Sequence, residues 1–177
     1  QFFAVHGLVT DSAGNIYVVE LQNHRIKVFD PSGRYLHEWG GRGSSEGKFW
    51  SPNRIAIDLG DNVYVSDYVN HRIQKFDTDG KFLAQWGSYG TGNGQFRYPY
   101  GVATDGSGNV FVVEYFNRVQ QFDAAGNFIE QWGTAGSGDG QFKYPRGIGV
   151  YDGGVCAGSS FFVDDAYNNR VQKFSSP

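Results

Sequence analysis

Short apolar runs separated by Gly- and Asp-rich turns recur along the chain. One stretch contains four such runs. The first, Ile55–Ile57, is apolar throughout, and the second is Val-Tyr-Val at 63–65. The third, 72–76, has the apolar Ile73 and Phe76 among polar residues, and the fourth, 82–86, ends in Trp86. An unbroken apolar run fits a strand buried on both faces, and alternation fits a half-buried strand. The intervening turns, such as DSAGN, DGSGN and DPSGR, combine Gly, which accepts positive φ, with Asp or Asn, which hydrogen-bonds the backbone. No stretch shows a convincing 3.6-residue period, so the pattern predicts an all-β chain.

The four-strand unit repeats. Trp39, Trp86 and Trp132 recur at intervals of 47 and 46 residues, and a Phe and a Pro of each unit keep the same spacing. Four short strands in a unit of this length are typical of a β-propeller blade, whereas a β-solenoid has shorter coils and lacks the Trp-Gly pairs. We therefore predict one propeller segment, 1–177, of four-stranded antiparallel blades at approximately 1–47, 48–94, 95–140 and 141–177.

The last predicted blade lacks its fourth strand, which gives about 3.75 blades. The outer blades would then present apolar faces that need covering. We expect further blades, as in a six-bladed ring, or a second chain to complete the propeller. The chain opens within a repeat and contains no Met, so we expect a processed or excised piece with any targeting segment outside it.

The units resemble the NHL repeat. The third copy contains GQFRYPYGVATD, then NVFVVE, then NRVQQFD, then FIEQWG, and the similarity extends over essentially the whole chain at several fixed offsets. This resemblance implies a β-propeller fold and implies no particular activity.

The amino-acid composition of the chain narrows the classes of binding partner and the possible location. The formal charge is −3, from 15 Lys and Arg against 18 Asp and Glu, which argues against a general binder of polyanions. The single cysteine, Cys156, excludes an internal disulfide and a cysteine-based metal cluster. No apolar run approaches the roughly 18 residues that a membrane span needs. The lack of Met, the one Cys and a Gly-rich, nearly neutral composition favour an extracellular or periplasmic location.

Residues that recur in every unit are best explained by blade geometry. An acid ends each second strand, an Arg follows four or five residues later, and an Asn lies between them, which predicts a loop clamped by charge-assisted hydrogen bonds. The sets are Glu20, Asp67, Glu114 and Asp165; Asn23, Asn70, Asn117 and Asn168; and Arg25, Arg72, Arg118 and Arg170. His24 and His71 beside the arginines are expected to be solvated loop residues, with metal binding as the alternative.

Positions that vary between units are free to serve function. The residue at the start of each first strand is His6, Asn53, Tyr100 or Arg146, and the loops after the second strands add aromatic rings on the same side. Aromatic and Arg side chains are frequent anchors of binding surfaces, although each ring could equally pack between blades. The predicted ligand-binding residues are His6, Asn53, Arg54, Tyr68, Tyr100, Tyr115, Phe116, Arg146 and Tyr167. We call the side on which they lie the strand-start face.

The preferred hypothesis is a non-enzymatic recognition scaffold for a protein, peptide or glycan, since no convergent acid–base set or Ser-His-Asp order is visible. The start of the chain, FFAVHGLVTD, is also similar to peptidyl-α-hydroxyglycine α-amidating lyase, in which the matching His is a zinc ligand. That resemblance implies a second hypothesis, a metal-dependent propeller enzyme related to this lyase, with His6 as the only metal candidate. The position that matches His6 two units on is Tyr100. One imidazole cannot hold catalytic zinc, so no cofactor is expected, with zinc or calcium as the alternative.

RNA binding is the third hypothesis, because the NHL domains of tripartite-motif proteins resemble the chain and bind RNA on a basic face. Arg54, Arg97, Lys143 and Arg146 could cluster beside rings for base stacking. The net negative charge and the nearby recurring acids weigh against a nucleic-acid partner.

The fourth unit departs from the others in its first turn. Residues 152–160 make this turn five residues longer than its counterparts. We expect a tolerated loop on the face opposite the candidate site. Its glycines lack the helix start of a phosphate-binding loop.

Overall fold

The fold is all-β. The structure is a computed structural model that describes residues 2–151 and 160–175. Its strands form three four-stranded sheets and one three-stranded sheet, all antiparallel with strands side by side in chain order, and one parallel two-stranded sheet. The strands are β1 (Val5–Thr10), β2 (Ile16–Glu20), β3 (Arg25–Phe29), β4 (Tyr35–Gly40), β5 (Pro52–Ile57), β6 (Val63–Asp67), β7 (Arg72–Phe76), β8 (Phe82–Trp86), β9 (Pro99–Thr104), β10 (Val110–Glu114), β11 (Arg118–Phe122), β12 (Phe128–Trp132), β13 (Thr134–Ala135), β14 (Gln141–Phe142), β15 (Ile148–Tyr151), β16 (Ser160–Asp165) and β17 (Arg170–Ser175).

The sheets are the blades of a β-propeller, which confirms the predicted fold class. The first strands of neighbouring sheets, β1, β5, β9 and β15, contact one another and so lie innermost. The described part of the fourth sheet has three strands, β15 to β17. Residues 152–159 of the predicted insertion lie outside the described residues. Among the residues that are described, no helix has the length and hydropathy needed to span a membrane.

Asp-led turns set the hairpin geometry. In the second blade, Asp58 Oδ1 accepts the backbone N–H groups of Gly60 and Asn62, each at 2.9 Å. Asp11 and Asp105 make the same pattern in their own blades. The carboxylate thus satisfies backbone donors that a tight turn leaves unpaired, which is why the turns recur in sequence.

Three apolar clusters hold the blades together, one between each neighbouring pair. Each contains a fully buried Phe from the start of a unit, Phe49, Phe96 or Phe142. A Trp from the end of the preceding blade lies at the edge of each cluster. The repeat therefore buries its apolar residues against the next repeat rather than within itself.

The outward faces of the first and fourth blades contain the repeat positions that are buried between the inner blades, but here these positions are exposed. Phe2 corresponds to Phe49 but is 47% exposed, and Leu8, in the position of buried Ile55, is 63% exposed. On the other side, Val171 corresponds to fully buried Ile73 and is 66% exposed. Both faces are thus half of an interface that is complete between the inner blades.

Candidate functional site

The recurring acid and arginine form a clamp in every blade, which confirms the structural interpretation. The Nε donor of each Arg lies 2.5–2.8 Å from the carboxylate of its own blade: Arg25 to Glu20, Arg72 to Asp67, Arg118 to Glu114 and Arg170 to Asp165. All four acids are buried. Charge-assisted hydrogen bonds of this length are strong and directional.

Each clamp also holds the link from the preceding blade. The Asp67 carboxylate accepts the backbone N–H of Trp50 at 2.7 Å, and its counterparts accept those of Phe3, Arg97 and Lys143. Arg72 donates further to the carbonyls of Ser44, Ser45 and Lys48. These guanidinium groups are therefore occupied by the protein itself and do not form a ring of ligand-binding cations.

The clamp acids differ in their pKa. Burial alone would raise the pKa of Glu20 and Asp165, but the hydrogen bonds that each receives, including one from its Arg, outweigh burial and lower it. Asp67 is more deeply buried, and desolvation raises its pKa in spite of Arg72. The pKa values of these acids shift in opposite directions although the acids belong to one motif. The reason is that the extent of burial varies from blade to blade, whereas the hydrogen-bond pattern does not.

His24 and His71 belong to a second strut between blades, so the expectation that they are solvated loop residues is wrong. The Nδ1 of His24 accepts the backbone N–H of Ser51 at 3.0 Å, and the Nδ1 of His71 accepts that of Tyr98 at 3.2 Å. In the third blade Asn117 Oδ1 accepts the N–H of Tyr144 at 2.7 Å. Desolvation lowers the pKa of both histidines, which favours the neutral imidazole that the acceptor role requires.

The strut also corrects the alignment of the third unit. Asn117 has a left-handed φ of 71°, as His24 and His71 have at 55° each, and it directly precedes the clamp Arg as they do. Asn117 therefore takes the position of the histidines rather than that of Asn70. Asn tolerates this conformation better than most residues, because its short side chain can bond locally.

The predicted residues of the first two blades form a small network of their own. His6 Nδ1 lies 3.2 Å from Asn53 Oδ1, and a guanidinium nitrogen of Arg54 donates to the carbonyl of His6 and to Asn53 Oδ1. Asn53 is only 3% exposed. Asn53 and Arg54 are therefore largely engaged by the protein.

The predicted aromatic residues come together as one closed circuit. Neighbouring members are separated by 4.7–5.9 Å between ring centroids, or between guanidinium carbon and centroid. In order, the members are Tyr68, Tyr98, Phe116, Tyr115, Tyr144, Tyr167, Arg146 and Tyr100. We call this set the aromatic belt. It lies on the strand-start face and spans the second, third and fourth blades.

The side-chain hydroxyls of the aromatic belt are without a protein partner in the described part of the chain. Among the residues that the structure describes, none of its six tyrosine hydroxyls forms a hydrogen bond, and the buried Nε of Arg146 has no partner. The hydroxyls lie near one another: burial raises the pKa of Tyr68, and the phenols of Tyr115, Tyr98 and Tyr100 raise it further. By contrast, the interior Tyr64 donates its hydroxyl to Asp58 at 2.8 Å.

Two members of the aromatic belt were missed from sequence, Tyr98 and Tyr144. Both directly precede a Pro and have left-handed φ values of 59° and 48°. Ala4 and Ser51 hold the same position in the other blades. The signal that could have found them is the change from Ala and Ser to Tyr at one offset of the repeat.

Two grooves open beside the aromatic belt. The larger, of about 490 Å³, is lined by residues that include Lys143, Tyr144 and Asn168. The smaller, of about 220 Å³, contains Arg97 and Phe116, whose guanidinium and ring lie 4.5 Å apart. Asn117 lines both grooves, so they lie side by side.

His6 does not lie in a metal-ligand set. Across residues 2–151 and 160–175, no group of three His, Cys, Asp or Glu side chains is arranged to hold a metal ion. Cys156 lies outside these residues.

Comparisons with known proteins agree with this architecture. The model of a family described as a 6-bladed beta-propeller, DUF5128, matches residues 3–84. Protein brain tumor of Drosophila melanogaster, an NHL protein, is 33% identical over 57 residues, which cover 32% of this chain and 6% of that protein. The chain is a β-propeller, and its resemblance to NHL-repeat propellers is confirmed.

Solved structures show the same fold. A protein of unknown function from Bacteroides thetaiotaomicron superposes with a TM-score of 0.75 at 19% identity, over 98% of this chain and 47% of that one. A streptogramin B lyase has a TM-score of 0.67 at 15% identity, over 98% of this chain and 55% of the lyase. The chain thus spans about half the length of these structures, and the likeness at such identities is one of fold alone.

Proposed function

We propose that the chain is a non-enzymatic recognition scaffold that binds its ligand on the aromatic belt. The observation that supports this most is the unpartnered polar chemistry of the belt: six tyrosine hydroxyls and the Arg146 Nε without a partner among the described residues. Of these groups only the Arg146 Nε is buried, and the hydroxyls are open to solvent, where they can donate to and accept from an external partner.

The rigidity of the support favours the same function. The rings stand on β9 and on loops that the clamps and the histidine struts tie to neighbouring blades. A surface held in place before binding loses little conformational entropy when the ligand docks. Tyrosine adds contact area and hydrogen bonds at low entropic cost.

The enzyme alternative has less support in the side chains that are present. His6 is the only predicted metal candidate, and its contact is with the Asn53 amide. The clamp acids are each paired with an Arg, so they are not placed as a free acid–base pair on the strand-start face.

A ligand screen with belt variants tests the proposed site. Immobilised protein is exposed to glycan, peptide and RNA libraries, and hits are titrated against Tyr100→Ala and Arg146→Ala. We expect these variants to weaken binding at least about tenfold, as is usual for anchor residues. Arg34→Ala is the matched control, because Arg34 is 77% exposed and pairs with Asp30 in a distant turn. Hits that bind both belt variants as tightly as the wild type would place the site elsewhere.

We also propose that the outward faces of the first and fourth blades bind further blades, from a longer chain or a second copy. The exposed Phe2 and Val171 support this, because both positions are buried wherever a neighbour is present. Leu8→Lys and Val171→Lys should abolish any self-association in sedimentation velocity. A wild-type chain that stays monomeric at high concentration would rule out the second copy.

A further inference from the structure

The class of ligand follows from the charge and the hydrogen-bonding groups of the aromatic belt, and this inference rests on the proposed function. Arg146 lies 5.9 Å from the Tyr100 ring and 5.6 Å from the Tyr167 ring. A guanidinium held by ring contacts keeps its N–H edge available, and that edge matches a carboxylate in a bidentate geometry. Arg146 forms no ion pair with any described acid, including Asp164 on the neighbouring β16. Arg146 is therefore suited to pair with an anionic group of a ligand.

The surroundings of Arg146 specify the rest of the ligand. Arg146 shares the aromatic belt with six phenolic hydroxyls, each of which is both donor and acceptor. Two further cations contact belt rings, Arg54 at 5.2 Å from Tyr100 and Arg97 at 4.5 Å from Phe116. The rings of Phe116 and Tyr167 are 38% and 50% exposed, and their π faces attract the electropositive C–H groups of a ligand. The complementary molecule has hydroxyls in several directions, C–H faces between them and a carboxylate for Arg146.

We infer that the aromatic belt binds an acidic glycan, through a uronic acid whose carboxylate pairs with Arg146. The sugar hydroxyls are placed among the tyrosine hydroxyls, and a neighbouring sugar ring lies against Tyr167 or Phe116. The groove of about 490 Å³ beside Tyr144 leaves room for the chain to continue.

Two other polymers fit less well. A nucleic acid carries a phosphate on every nucleotide and therefore favours a positively charged surface. Here Arg54 is already engaged by His6 and Asn53, and the net charge is −3. An acidic peptide supplies the carboxylate but few hydroxyls for the phenols. Both are outcomes that the experiment can return.

The experiment is calorimetric titration of the whole chain with oligomers of galacturonate, glucuronate and mannuronate, beside the methyl esters of the same oligomers. We expect at least one acid form to bind, and its ester to bind about tenfold or more weakly, because esterification removes the charge-assisted pair. Arg146→Gln should weaken the acid form by a similar factor and leave the ester unchanged.

Tyrosine variants test the hydroxyls separately. Tyr68→Phe and Tyr100→Phe should weaken the acid and the ester equally, by about three- to tenfold, since each removes only a neutral hydrogen bond. Tyr35→Phe, on an exposed outer strand, and Arg34→Gln are the matched controls and should change nothing.

The outcomes separate this inference from the proposed function. Equal affinity for acid and ester, or an Arg146→Gln variant of unchanged affinity, overturns the role of the carboxylate. No binding of any uronate, with belt-sensitive binding of RNA or of an acidic peptide, overturns the glycan and keeps the recognition surface. If no ligand of any class is sensitive to the belt variants, the proposed function itself fails.

Discussion

Tyr64 and Tyr68 are four residues apart and have opposite surroundings. Tyr64 lies in the cluster between the second and third blades and donates its hydroxyl to Asp58. Tyr68 lies on the aromatic belt, and its hydroxyl has no partner among the described residues. The same contrast separates the clamp arginines from Arg146. The contrast holds for these tyrosines and arginines, although the framework residues Trp39 and Trp86 also have a buried Nε1 without a hydrogen-bond partner among the described residues.

The largest expected effect comes from breaking a clamp. Arg72→Ala removes the cation beside Asp67, whose side chain is fully buried, and leaves an uncompensated charge in the interior. We expect the free energy of unfolding to fall by about 3–5 kcal/mol. Urea denaturation measures it, and Arg34→Ala should stay within about 0.5 kcal/mol of the wild type. A loss below 1 kcal/mol would show that the clamp is dispensable.

The tyrosine comparison can be tested with two single-atom deletions. Tyr64→Phe leaves Asp58 short of one donor in a buried site and should cost about 1–2 kcal/mol. Tyr68→Phe removes a hydroxyl that has no partner in the part of the chain that the structure describes, and it should cost less than about 0.5 kcal/mol. Equal losses for the two variants would contradict the distinction between interior and belt.

The histidine struts should make stability depend on pH. Desolvation lowers the pKa of His24 and His71 in the folded state below the ordinary 6.5, so their contribution is complete above pH 6.5. As the pH falls below 6.5 the unfolded chain binds protons more readily, and the contribution is lost. We expect the melting temperature to drop by a few degrees between pH 7.5 and pH 5.

Asn substitution provides the matched control for the struts. The third blade already uses Asn117 at this position, so His24→Asn with His71→Asn should retain the acceptor and the left-handed backbone. The double variant should melt at nearly the same temperature at both pH values. A pH dependence as steep as that of the wild type would mean that other groups titrate.

The smallest effect on stability is expected at Arg146. Its Nε has no hydrogen-bond partner among the described residues, so Arg146→Gln should change the free energy of unfolding by less than about 0.5 kcal/mol. Thermal denaturation measures this change without any ligand. A loss above 2 kcal/mol would show that Arg146 belongs to the framework.

The repeat made the framework predictable and the site only partly so. Glu20, Asp67, Glu114 and Asp165 recur at one offset, so their shared clamp could be inferred without coordinates. Tyr98 and Tyr144 lie at an offset that looked like a turn, and their place on the belt depends on a left-handed backbone that propensity does not favour. The struts were missed because the partner of His71 is a backbone N–H 27 residues away.

The tryptophans have a practical consequence for optical spectroscopy. Trp39, Trp86 and Trp132 each lie at a different interface between blades. Trp50 is exposed beside Arg42 and can be replaced by Phe to remove its signal. Variants that keep one of the three tryptophans would give a fluorescence signal specific to one interface. Since each repeat contacts only its neighbours, such emission spectra would resolve whether the blades separate one at a time or together.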